Sequence, residues 1–234
     1  MTALPLPMPR RRVVELAGTF LGSVFVLAAL VIIWVARLEQ DRDLYVSELG
    51  AAGQPTAHWF EGALLLIVAG GSLIAYAARG IRSRVPLLSV WAPAVSLWVG
   101  CGFFLIASQV TCTSGCPLPV GASFTWQDLI HTVVAVLAFA AACFGMLQVS
   151  FAVGYRSLAR LSLGAGVAVA LIAGAGGILS LARFQADFGS RLELAATTIA
   201  LGWLLTLGVM MTLRPVEFAD VLPLAELELA APVA

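Results

Sequence analysis

Residues 15–35 read ELAGTFLGSVFVLAALVIIWV, directly behind the basic run Arg10, Arg11 and Arg12. At ~1.5 Å of rise per residue, a helix of about 20 apolar residues crosses the ~30 Å hydrocarbon layer of a bilayer. A signal peptide has an apolar region of only about 7–15 residues, followed by an A-x-A-like cleavage site. This stretch is longer and leaves through Ala36-Arg37-Leu38-Glu39, which offers no such site. It reads as an uncleaved membrane helix.

Working outward, the same pattern recurs. Apolar stretches lie at about 15–36, 59–78, 87–110, 126–153, 161–181 and 192–213, so the expected fold class is all-α: a bundle of six transmembrane helices occupying 15–213. Residues 1–14 form an N-terminal segment, and 214–234 an acidic tail with Glu217, Asp220, Glu226 and Glu228. Composition agrees: 61% of the 234 residues are hydrophobic and 11% charged, against roughly 25% charged in a soluble domain. The basic residues are thirteen Arg, balanced by thirteen acids. That balance excludes a soluble enzyme and gives no basic excess for nucleic acid.

Orientation follows from the Arg beside the spans, since positive charge is retained in the cytoplasm. Arg10, Arg11, Arg12, Arg79, Arg82, Arg84, Arg156, Arg160 and Arg214 fall on one side. Arg37, Arg42, Arg183 and Arg191 fall on the other. Both termini are expected in the cytoplasm, with the chain multi-pass in a bacterial inner or plasma membrane. On the outer side Cys112 and Cys116 form a C-x-x-x-C, expected as a disulfide in an oxidising compartment. Small residues allow helix backbones to approach in lipid. Gly18 and Gly22 supply this in the first span, and the Gly-rich fifth span is expected inside the bundle.

Ionisable groups at a membrane boundary are costly and are functional candidates. Three clusters face outward. Ser47, Glu48 and Gly50, with His58 and Glu61, precede or open the second span. Gln127, Asp128, His131 and Thr132 open the fourth. Arg183, Arg191 and Glu193 surround the start of the sixth. Asp128, His131 and Thr132 share one helical face, so Asp128 can orient the His131 imidazole. The competing reading is capping: Thr125 with Asp128, and Ser190 with Glu193, both fit an N-cap with an acid three residues on. Clustering opposite charges around one hydrated pocket relieves their cost, and Glu48, His131 and Arg191 are expected around such a pocket.

Ser47-Glu48-Leu49-Gly50 after the first span, Asp128-x-x-His131-Thr132 in the fourth and Gly189-Ser190-Arg191-Leu192 in the sixth resemble the domain of unknown function 998 (DUF998) family of six-helix membrane proteins. The resemblance covers nearly the whole chain and implies a fold and motif positions rather than an activity. The chain departs from it between the third and fourth spans, where Cys112 to Val120 replace a Phe-Pro-x-Asp-type segment.

The leading functional expectation is a pocket on the outer side that binds or moves a small molecule or lipid headgroup. An accessory subunit using the acidic tail to hold a protein partner is the alternative. The catalytic alternative is an intramembrane zinc hydrolase. A catalytic zinc takes three protein ligands plus water, and with two histidines the set would have to be His58, His131 and an acid such as Asp128. No cofactor is expected.

Overall fold

The computed structural model describes residues 10–118, 121, 124–182 and 184–213. Among them there are six α-helices and no strand: α1 (Arg10–Leu38), α2 (Ala57–Ala77), α3 (Pro93–Gln109), α4 (Trp126–Ser150), α5 (Arg156–Leu181) and α6 (Ala186–Leu213). All but α3 are long and apolar enough to cross a membrane. The tail 214–234 and Arg183 lie outside the described residues.

Local chemistry sets the helix boundaries. Thr125 is extended at the start of α4, and its hydroxyl accepts the Asp128 amide at 3.0 Å, an N-cap that satisfies one orphan donor of the first turn. The third helix starts at Pro93 rather than near Leu87. Proline is tolerated at the first helical position but pushes the preceding residue out of the α region, and Ala92 is extended with ψ 150. Upstream, residues Pro86–Leu88 form a separate 3-10 turn. Between α4 and α5 the chain reverses at Gly154, whose φ of 83 lies in the left-handed region that glycine enters without strain. The fifth helix therefore begins at Arg156, earlier than the apolar pattern alone indicates.

The expected cap of the sixth helix is corrected. The helix begins at Ala186, one turn before Ser190, because the amides of Phe188 and Gly189 already bond the Gln185 carbonyl at 3.0 Å. Ser190 is inside the helix and donates to the Asp187 carbonyl at 2.8 Å. Glu193 is thereby released from capping and reaches another segment.

The helices pack as a closed ring in chain order, α1 against α2 and onward to α6, which returns to α1, while α2 and α6 also meet across the interior. At the crossing of α1 and α2 the backbones nearly touch: a Cβ on Gly22 would lie 2.8 Å from the Gly70 carbonyl oxygen. Gly18 has only Leu73 nearby, at 3.8 Å. The expectation for the fifth helix is also corrected. It is the least buried of the five long helices and packs on α4 and α6 at the perimeter. Of its five Gly-rich positions, Gly164, Gly174 and Gly177 face open space. Gly166 meets Met146 of α4 and Gly176 meets Leu192 of α6. The small residues serve two local contacts instead of a central position.

One end of the ring holds the Arg79–Tyr155 region, where Gln148 is fully buried. It accepts from Ser96 at 2.7 Å and donates to the carbonyls of Leu88 and Trp91 at 3.0 Å. At the other end α1, α3 and α5 finish and α2, α4 and α6 begin. The expected outer candidates lie there.

Candidate functional site

A 3-10 turn, Ser47–Gly50, sits over this second end of the ring, with Glu48, Leu49 and Gly50 buried. Three neighbours hold it. Glu193 of α6 accepts the Val46 amide at 2.9 Å and the Ser47 amide at 3.4 Å. The Ala52 amide bonds the Cys112 carbonyl at 2.9 Å, and Thr56 donates to the Leu49 carbonyl at 2.9 Å. Gly50 is required by packing: any Cβ there would collide with the Phe60 ring. Glu48 pairs with Arg42 at 2.8 Å.

Beside this turn, Arg37 and Arg191 share Asp43. The buried Arg37 guanidinium hydrogen-bonds one carboxylate oxygen, and Arg191 holds the other at 2.7 Å. The bond from Arg37, seconded by Arg191, keeps the Asp43 carboxyl below its ordinary range. Arg191 is therefore part of a surface ion-pair network and faces away from the bundle interior, its side chain being 69% exposed.

The loop between α3 and α4 is pinned twice. Cys112 and Cys116 are disulfide-bonded, with Cα atoms 5.1 Å apart. Asp128, only 1% exposed, accepts from the Thr113 amide at 2.8 Å, the Thr113 hydroxyl at 2.9 Å and the Thr125 hydroxyl at 2.5 Å. Gln127 donates to the Thr111 carbonyl at 2.7 Å. Asp128 thus clamps the loop and holds the capping Thr125 hydroxyl in place, and the expected Asp128–His131 orientation is replaced by another. His131 Nδ1 lies 2.7 Å from the Val110 carbonyl. A carbonyl can only accept, so Nδ1 carries a proton and donates it to Val110.

Below the turn lies a cavity of about 90 Å³, walled by α1, α2, α3, α4 and α6. Its lining is almost wholly apolar, and its polar residues, Ser47, His131, Glu193 and Thr197, all belong to the capped end. From there it runs past Phe60, Phe104 and Phe139 to Gly71, Cys101 and Leu204. The steps from Phe60 to Gly71 and from Glu193 to Leu204 are each eleven residues, so the shaft descends about 16 Å along the helices.

Of the sequence candidates, Ser47, His131 and Glu193 meet at this cavity. Gly50 and Glu48 support its roof, while Gln127 and Asp128 fix the loop alongside. Arg191 lies at the surface, and Thr132 does not line the cavity. His58 is exposed and stacks on Trp59 with ring centroids 5.0 Å apart, and Glu61 is exposed on α2. Thr197 went unrecognised in the sequence, although its spacing of four from Glu193 places both on one face of α6.

Among the described residues, His58, His131 and Asp128 form no three-ligand group. The group whose donor atoms fall within 4.8 Å of one another is Cys112, Cys116 and His131, and its two sulfurs are bonded to each other. The ligand set of a zinc hydrolase is not assembled.

An all-α ring with five helices long and apolar enough to span a bilayer defines a multi-pass membrane protein. The chain belongs to the family described as protein of unknown function (DUF998), which matches residues 20–210. No curated protein and no solved structure matches it significantly.

Proposed function

We propose that the chain crosses the membrane six times with both termini in the cytoplasm, and that the capped end faces outward and binds a small molecule or lipid headgroup. In this reading α3 is the sixth span. Its 17 residues rise about 25 Å, and the preceding turn supplies the remaining thickness. Six crossings put the described Arg12, Arg79, Arg82, Arg84, Arg156 and Arg160 on the cytoplasmic side, as positive charge requires.

The observation that carries the binding reading is the meeting of Ser47, His131 and Glu193, from three separate parts of the chain, at the mouth of one cavity. Polar groups at that depth are costly unless they serve one another or a ligand. The test is thermal-shift screening of the detergent-purified protein against polar metabolites and lipid headgroups, repeated with Glu193→Gln and His131→Ala. A ligand whose stabilisation falls in both variants is the expected result. Ligands indifferent to both substitutions would refute the site, and labelling of a cysteine placed at Arg82 from outside intact cells would refute the orientation.

A further inference from the structure

The shaft below the polar mouth accounts for most of the cavity, and a headgroup alone would leave it empty. We infer that the occupant is a single-chain lipid with an uncharged, hydroxyl-bearing head, its tail in the shaft and its head at Ser47, His131 and Glu193. This deepens the reading above and rests on it. Three features of the cavity carry the inference.

Length is the first. A descent of about 16 Å equals one leaflet of a ~30 Å hydrocarbon layer, the depth reached by one long acyl chain hanging from a head at the boundary. The second is access. Helices α4 and α6 are separated by α5 rather than packed directly on one another. On α4, α5 meets Met146 and Cys143 through Gly166, in the half remote from the cap. In the capped half it leans on α6 through Gly176. Ala135 of α4 and Ala200 of α6 line the cavity and yet are partly exposed. A chain in the bilayer can enter sideways there, without its head leaving the boundary.

The third feature is the chemistry of the mouth. Glu193 contributes a carboxyl group, and His131 the edge of its imidazole opposite the Nδ1 that bonds Val110. Among the described residues the lining holds no Arg: Arg42 is turned to Glu48, while Arg37 and Arg191 are turned to Asp43. A sulfate, phosphate or carboxylate head would face the Glu193 carboxyl with no described Arg in the lining to pair it. A hydroxyl head can donate to Glu193, share a hydrogen bond with His131 and accept from Thr197, whose own side chain makes no hydrogen bond among the described residues.

Native mass spectrometry of the full chain in detergent tests this with defined probes: 1-monopalmitoylglycerol, 1-mono-octanoylglycerol, hexadecyl sulfate and glycerol. Monopalmitoylglycerol should be retained at least about tenfold more strongly than the octanoyl compound, because the extra methylenes are buried. It should also exceed hexadecyl sulfate about tenfold, because the described lining offers that head no Arg for a charge-assisted hydrogen bond. Ala200→Phe, which fills the shaft at a partly exposed position, should weaken monopalmitoylglycerol and leave the helical content unchanged. The wild-type chain-length and head-charge comparisons stand even if that variant fails to fold.

Equal retention of hexadecyl sulfate, or of the octanoyl compound, overturns the inference. Retention of glycerol or another polar ligand with no dependence on a chain overturns it while sparing the binding reading. Retention of no ligand, together with a blank thermal-shift screen, overturns both.

Discussion

Glu193 Oε2 accepts the backbone N–H of Val46 at 2.9 Å across 147 positions of sequence. The bond ties the second turn of α6 to the turn that roofs the cavity. The other carboxyl oxygen, Oε1, accepts the Ser47 N–H at 3.4 Å.

Removing it should loosen the roof. Glu193→Ala leaves the Val46 and Ser47 amides without their acceptor, at a cost of about 1–3 kcal/mol for an orphaned buried donor. Glu193→Gln keeps one acceptor oxygen and should cost less than half as much. Chemical unfolding of both variants in detergent gives the comparison, and equal losses would show that charge rather than acceptance holds the turn.

The tautomer of His131 should not depend on Asp128. Val110 accepts from Nδ1, whereas Asp128 is engaged by Thr113 and Thr125. In Asp128→Asn the imidazole nitrogen shifts should still report a proton on Nδ1. The substitution should instead weaken the loop clamp, read as faster amide exchange at Thr113. A switch of the proton to Nε2 would restore Asp128 as the orienting group.

Helix crossing makes the two glycines of the first span unequal. Gly22→Ala drives a methyl against the Gly70 carbonyl, and overpacking of this kind costs about 1–3 kcal/mol. Gly18→Ala, with Leu73 at ordinary contact distance, should stay within about 0.5 kcal/mol. Melting temperatures of the two variants decide it, and equal effects would contradict the crossing point.

Acid should weaken the Arg37–Asp43–Arg191 network in a defined direction. The folded Asp43 carboxyl is held below its ordinary value, first by the hydrogen bond from Arg37 and then by Arg191. A depressed carboxyl contributes stability that is complete above the ordinary unfolded value of about 3.9 and lost as pH falls through the folded value. Asp43→Asn should flatten that acid limb of the melting temperature. Arg191→Ala should move the limb toward higher pH, and a limb indifferent to both substitutions would exclude Asp43 from the acid response.

The sequence by itself determined the helices. Hydropathy over about 20 residues is a local quantity, and Thr125 and Pro93 act within one turn of themselves, so these elements are legible without any neighbour. The disulfide is equally local, its cysteines being four positions apart. The polar candidates are legible too, because a charge near hydrocarbon stands out wherever it sits. Ser47, His131 and Glu193 belong to that set, and so does Arg191, which the fold turns outward to Asp43.

Only the tertiary structure decided which faces turn inward and which groups meet. In water, apolar residues are driven to the interior and their periodicity marks the buried face. In lipid there is no such drive between helices, so an apolar face looks the same toward a neighbour as toward the bilayer. That is why the Gly-rich α5 reads as central and lies at the perimeter, and why the shaft beneath Glu193 leaves no trace in hydropathy. Partner choice is non-local for the same molecule: Val46 and Glu193, or Asp43 and Arg191, become neighbours only after the ring closes α6 onto α1.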